Sequence, residues 1–157
     1  MNLRRIMTVC TAAMLVATGG VAAATPASAA TTYTLTETLR APNMTNFNEP
    51  LATCSGTPGF TCAISTTTSA TRTVDAAFGL SRAWVTAQLK VSNATTRSVT
   101  VSCSATLSTK YRRLVAYPVG TQIFYKITQK TASGTTTSGT LMTFEPAANS
   151  QSCYLYA

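Results

Sequence analysis

Between Ala83 and Leu107 hydrophobic and polar residues alternate almost without a break. Ala83, Val85, Ala87, Leu89 and Val91 fall on one side of a period of two, with Thr86, Gln88 and Lys90 on the other. After the polar stretch Ser92 to Thr96, Val99, Val101, Cys103, Ala105 and Leu107 alternate in the same way with Thr100, Ser102, Ser104 and Thr106. A period of two is the mark of a half-buried strand. Two such runs around a short polar loop predict an antiparallel hairpin at the centre of the fold.

Weaker alternations surround that hairpin. Tyr33 to Leu39, Phe60 to Ser65 and Arg72 to Phe78 read as strands, and Tyr111 to Tyr117 as another that Pro118 and Gly120 stop. Ile123, Tyr125 and Ile127 alternate with Phe124, Lys126 and Thr128. Residues 132–139, rich in Ser, Thr and Gly, read as a mobile hairpin loop leading into Thr140 to Phe144, and Cys153 to Tyr156 forms a last strand. Seven to nine short strands separated by turn residues predict an all-β chain. The expected fold is an antiparallel two-sheet β-sandwich of immunoglobulin-like type, with a small β-barrel as the alternative.

The first 29 residues follow a different rule. Arg4 and Arg5 precede an apolar run from Ile6 to Ala17, and Ala27-Ser28-Ala29 supplies small residues at a cleavage position before Ala30. That order predicts a secretory signal peptide of the Sec type, too short in its apolar part to span a bilayer. The expected organisation is therefore a cleaved leader (1–29), an N-terminal strand or extended segment (30–50) and a disulfide-bonded domain (51–157). Exposure of a new N-terminus before a strand raises two options, pairing with its own sheet edge or with that of a partner. Pairing within the chain is the default.

Removing the leader changes two counts. Cys10 leaves, so Cys54, Cys62, Cys103 and Cys153 remain, an even number that in an exported chain predicts two disulfides. Of the three possible pairings Cys54–Cys62 is favoured, because Ser55-Gly56-Thr57-Pro58-Gly59 is turn chemistry that brings their ends together. Cys103–Cys153 then follows. Arg4 and Arg5 leave as well, so ten basic residues face four acidic ones, for a net charge of +6. Such a balance suits an anionic partner and also serves plain solubility.

Catalytic inventory is thin. The chain has no histidine, which removes Ser-His-Asp and Cys-His arrangements and most zinc hydrolase sites. Glu37, Glu49, Asp75 and Glu145 are the only carboxylates, and they are scattered. There is no Ser-x-x-Lys, no P-loop and no GxGxxG. These absences argue against an enzyme, and no cofactor or metal site is expected.

Binding surfaces remain. Lys110-Tyr111-Arg112-Arg113, followed by Tyr117, is the densest basic and aromatic cluster. On a strand Tyr111, Arg113, Val115 and Tyr117 share a face, where planar donors and amphipathic rings suit an interface. The competing explanation is an edge strand blunted by charge. Trp84, the single tryptophan, falls on the polar side of its run and is either an exposed anchor or a core filler, the latter favoured because large aromatics usually contribute to burial.

The Ala-rich leader ending Ala27-Ser28-Ala29, the four remaining cysteines and the Thr-rich β pattern together resemble small exported β-proteins of actinobacteria. That group includes protease inhibitors, chromophore carriers and adaptor subunits of secreted toxin particles. The resemblance implies an exported binding protein and carries over no site residue. The expected function is a secreted, non-catalytic binding or adaptor protein acting through an extracellular protein partner, as in a subunit of a toxin-type complex. One alternative is an inhibitor of an extracellular hydrolase presenting Ser55–Phe60. Another is a basic antibacterial protein that binds anionic cell-wall polymer through Lys110–Arg113. Nucleic acid and stable membrane insertion are not expected.

Overall fold

The computed structural model describes residues 30–157, so the predicted leader, with Cys10, lies outside the described residues. Its strands are β1 (Thr32–Thr45), β2 (Ala52–Ser55), β3 (Thr61–Thr71), β4 (Thr73–Val74), β5 (Thr96–Thr106), β6 (Arg113–Thr131), β7 (Gly134–Thr137) and β8 (Leu141–Tyr156). One helix, α1 (Arg82–Leu89), interrupts them. All strand pairs are antiparallel.

β5 forms as its alternation predicts, with Val99, Val101, Cys103 and Leu107 buried and the even-numbered residues exposed. Its partner is a different one. β5 pairs with β3 over eleven residues without a bulge, and residues 83–91 are not a strand. They form α1, capped by Ser81, whose Oγ accepts the Trp84 N–H, and closed by Lys90 in the left-handed region. The physical reason is an overlap of periods. Val85 and Leu89 are two steps of two apart, which is also one helical turn, and Ala83, Ala87, Gln88 and Leu89 all favour helix. Val85 and Leu89 are buried against Ile123, Tyr125 and Ile127 of β6.

The central strand is longer than predicted. β6 runs through Pro118 and Gly120 instead of stopping there. The missing Pro118 N–H falls where the pairing with β8 shifts register between Pro118 and Gly120, so no regular ladder bond is lost. At Gly120 a Cβ would overlap the Glu145 carbonyl oxygen, so only glycine lets β8 approach this closely. β8 likewise joins the two strands predicted at 140–144 and 153–156. Two further expectations are corrected. Residues 132–139 are not an open loop, because β7 turns back onto Thr128–Thr131, and the Arg72–Phe78 strand shrinks to Thr73–Val74.

The strands form two sheets. One is six-stranded, in the order β1–β6–β8–β4 with β2 and β7 also paired to β6; the other is β3–β5. They enclose Cys62, Ile64, Ala70, Val99, Val101, Cys103 and Leu107 from β3–β5 and the residue after it, together with Leu114 and Ala116 from β6. This is a two-sheet antiparallel sandwich and not a closed barrel. The expected disulfides are both present, and both join the sheets: Cys54–Cys62 links β2 to β3, and Cys103–Cys153 links β5 to β8. β1 pairs with β6 of its own chain.

Arg72 adds a polar tie between the sheets. Its buried guanidinium bonds Glu145 on β8 at 2.8 Å and the Thr96 carbonyl at the start of β5. Arg97 approaches the other Glu145 oxygen at 3.7 Å. An ionised side chain is held inside a sandwich only when its donors are satisfied in this way.

Candidate functional site

Successive residues of β6 point to opposite faces, so with Leu114 and Ala116 turned to the core, Arg113, Val115 and Tyr117 turn away from it. β8 runs beside them in register, Tyr156 opposite Arg113 and Tyr154 opposite Val115. The connection between β1 and β2 then crosses this face. It is fastened at both ends to β6, by Asn46 N–H to the Pro118 carbonyl at 2.9 Å and by Leu51 N–H to the Ala116 carbonyl at 2.8 Å. Between those anchors it holds Phe47 over the tyrosines.

The result is a connected set of rings. Phe47 lies 5.3 Å from Tyr117 and 5.0 Å from Tyr154, centroid to centroid, and Tyr117 lies 6.1 Å from Tyr154 and 6.3 Å from Tyr156. All four contacts are edge-on, the arrangement in which the positive edge of one ring meets the negative face of the next. The Arg113 guanidinium sits 5.4 Å above the Tyr156 ring as a cation–π contact. Tyr117 is the buried base of the set at 9% exposure, whereas Phe47 (52%) and Tyr154 (39%) present their rings to solvent. The Tyr117 side chain also holds the Tyr156 hydroxyl above the ordinary tyrosine pKa range.

Of the residues singled out in the sequence, Arg113 and Tyr117 belong to this set. Lys110, Tyr111 and Arg112 precede β6 and do not share its face. A turn closed by Ser108 N–H to the Tyr111 carbonyl, with the Tyr111 N–H on Ser108 Oγ, ends the extended run before Arg112. Lys110 Nζ lies 5.0 Å over the Tyr111 ring at that turn, and Arg112 is exposed. Charge blunting of an edge does not apply to Arg113, because β6 has β2 on one side and β8 on the other. Trp84 is elsewhere: on α1, half-buried and 6.3 Å from Tyr33, it packs against the edge of the cluster formed by Val85, Leu89, Ile123, Tyr125 and Ile127. Phe47, Tyr154 and Tyr156 were not singled out. The alternation Cys153-Tyr154-Leu155-Tyr156 already placed two tyrosines on one strand face, but nothing local announced their neighbours.

No family model matches the chain, and no curated protein is similar to it. The chemistry of the site therefore rests on its own residues.

On the other side of the Phe47 connection Asn46, Asn48 and Glu49 line a cavity of about 300 Å³ with Thr71, Gln122 and Phe144. Glu49 is already bonded there, accepting the Thr71 N–H at 2.8 Å, with the Asn46 amide at 3.5 Å. The remaining carboxylates are also engaged. Glu37 pairs with Arg40 at 2.8 Å, which lowers its pKa; Asp75 accepts the Met142 N–H at 2.9 Å; Glu145 holds Arg72. Among the described residues no group of three or more His, Cys, Asp or Glu is placed to hold a metal ion, and no helix is long and apolar enough to cross a membrane.

Proposed function

We propose that this is an exported, non-catalytic binding protein that docks an extracellular protein partner through the Phe47, Tyr117, Tyr154 and Tyr156 rings with Arg113 at their rim. The observation that carries the reading is the ring cluster itself. Aromatic residues and arginine are the types enriched at interface centres, and rings already locked by their neighbours lose little freedom on binding. Arg113 also supplies a cation where an acidic or carbonyl-rich partner surface can meet it.

Export is supported by the character of residues 1–29 and by two disulfides that persist in an oxidising compartment. A non-catalytic role is supported by the absence of histidine and by four carboxylates each committed to a structural bond. The partner is expected to carry acidic groups, because residues 30–157 carry a net charge of +6, with Lys110, Arg112 and Arg113 near one end of β6. An inhibitor presenting Ser55–Phe60 is the lesser reading, since Gly59 N–H bonds the Leu107 carbonyl and Phe60 folds over Gly56.

Affinity capture from culture medium with the native protein as bait tests the proposal. A partner retained by the native protein and lost by a Phe47→Ala/Tyr154→Ala variant supports it. A partner held equally by both, or binding explained by anionic polymer alone, overturns it.

A further inference from the structure

A second surface, separate from the aromatic rings, is the free edge of β3. Leu107 N–H donates to the Phe60 carbonyl at one end of the β3–β5 ladder and Arg72 N–H to the Thr95 carbonyl at the other, which makes the even-numbered residues of β3 the ones that bond to β5. Alternation along an antiparallel ladder then turns the N–H and C=O of Thr61, Ala63, Ser65, Thr67, Ser69 and Thr71 away from β5. The Thr71 N–H agrees, because Glu49 takes it from that side. Among the described residues the backbone groups of Ala63, Ser65, Thr67 and Ser69 on this edge have no protein partner.

The edges of β1 and β5 are blunted, and β7 is only four residues long. β1 carries Glu37, Arg40 and Pro42 and two register shifts. On the outer side of β5, Gln151 takes the Ser102 carbonyl and Arg72 the Thr96 carbonyl. Apart from the Glu49 bond at its last residue, Thr71, β3 has none of these devices: no charge, no proline and no bulge. Long, flat, uncharged edges are the ones to which another strand adds.

We propose that the β3 edge pairs with β3 of a second copy of this chain, antiparallel about a two-fold axis at Thr66. That register sets Ser65 opposite Thr67 of the partner subunit and Ala63 opposite Ser69 of the partner subunit. Each such pair exchanges two backbone bonds, about eight in all. Two observations favour a copy over an unrelated strand. Every residue that meets across the axis is small or β-branched, so the register has no bulky misfit. Thr66 points to the core side of β3 and is nevertheless exposed, with Thr68 only half-buried, so the uncovered part of the inner face is the part centred on the axis. Pairing sets Thr66 beside Thr66 of the partner subunit and shields part of it, and the two β3–β5 sheets become one continuous four-stranded sheet with a two-fold, the usual symmetry of homodimers.

Sedimentation velocity of the disulfide-bonded protein over a concentration series tests this. The native protein is expected to pass from monomer to dimer. Ser65→Pro removes an outward N–H that the β3–β5 ladder does not use, and Thr67→Lys places a charge beside the edge. Each change occurs twice in a two-fold interface, so each should weaken association by about tenfold or more. Amide exchange of the native protein gives a readout that needs no variant. Protection at Ala63, Ser65, Thr67 and Ser69 should rise with concentration, while Thr66 and Thr68, which donate within the sheet, stay constant. A protein monomeric throughout, exchange independent of concentration, or variants that associate like the native chain would each overturn the proposal. Loss of the aromatic anchors at Phe47 and Tyr154 should leave the dimer unchanged.

Discussion

Phe47 and Tyr154 meet edge-on at 5.0 Å, although one lies in the first connection of the chain and the other in its last strand. The contact exists because Asn46 and Leu51 bond to β6 on one side while β8 pairs with β6 on the other. Both rings are partly exposed, so they add little to the core, and under the proposed function they supply contact area for a partner. Phe47→Ala and Tyr154→Ala should each weaken capture of that partner by about 2 kcal/mol, roughly 30-fold. The same changes should lower folding stability by less than about 1 kcal/mol, as expected away from the core. Titration binding and urea melts of the two variants separate these effects.

The two disulfides both tie the sheets together but close loops of very different length, with sequence separations of 8 for Cys54–Cys62 and 50 for Cys103–Cys153. On chain entropy alone the short loop is worth about 2.5 kcal/mol and the long one about 4 kcal/mol. Replacing Cys103 and Cys153 by Ala should therefore lower the urea midpoint more than replacing Cys54 and Cys62. The opposite order would mean that local strain or residual structure, and not loop closure, governs stability.

Glu145 keeps Arg72 neutralised in the interior. Glu145→Gln should cost about 3 kcal/mol, since it strands a buried guanidinium. Arg97→Ala should cost less than about 1 kcal/mol, because that pair is longer and more exposed. Denaturant unfolding of both variants tests the ranking, and a double Arg72→Met/Glu145→Leu variant should recover much of the loss.

Tyr125 is fully buried, donates to the Asp75 carbonyl and receives the Thr143 hydroxyl at 3.3 Å. Burial raises its pKa above the usual tyrosine value. The folded state therefore keeps a proton that the unfolded chain releases near pH 10, so this stabilisation is intact below about pH 10 and lost as pH rises beyond it. Alkaline melts should fall steeply there. Tyr125→Phe should flatten that fall while costing about 1 kcal/mol at neutral pH for the lost hydrogen bond.

Ser81 decides how α1 begins. Ser81→Ala should cost about 1 kcal/mol, read as a lower thermal midpoint, because the Trp84 N–H loses its acceptor. Lys90→Gly should act in the other direction, since Lys90 sits at φ 56°, where glycine carries no Cβ penalty.

Local patterning carried a good part of this protein. The even cysteine count, the turn between Cys54 and Cys62, the strand at 99–107 and the antiparallel all-β class were all legible, because each depends on alternation or short-range chemistry. Arg113 and Tyr117 were legible as partners on one face for the same reason. The helix at 82–89 was misread because a two-residue alternation contains the four-residue spacing of a helix, and only the Ser81 cap and the surface of Ile123, Tyr125 and Ile127 break the tie. Pro118 and Gly120 were misread as stops because their cost depends on what lies beside them, and β8 shifts register at that place.

What the chain determined by itself is therefore its class, its crosslinks and its lack of histidine, properties set by residue type and spacing. Tertiary structure alone decided that β5 pairs with β3, that Phe47 joins Tyr154 and Tyr156 into one surface, and that β3 keeps an open edge. Pairing energies of similar strands differ little, so the choice among them is made by which arrangement closes both apolar clusters at once, and no single segment encodes that.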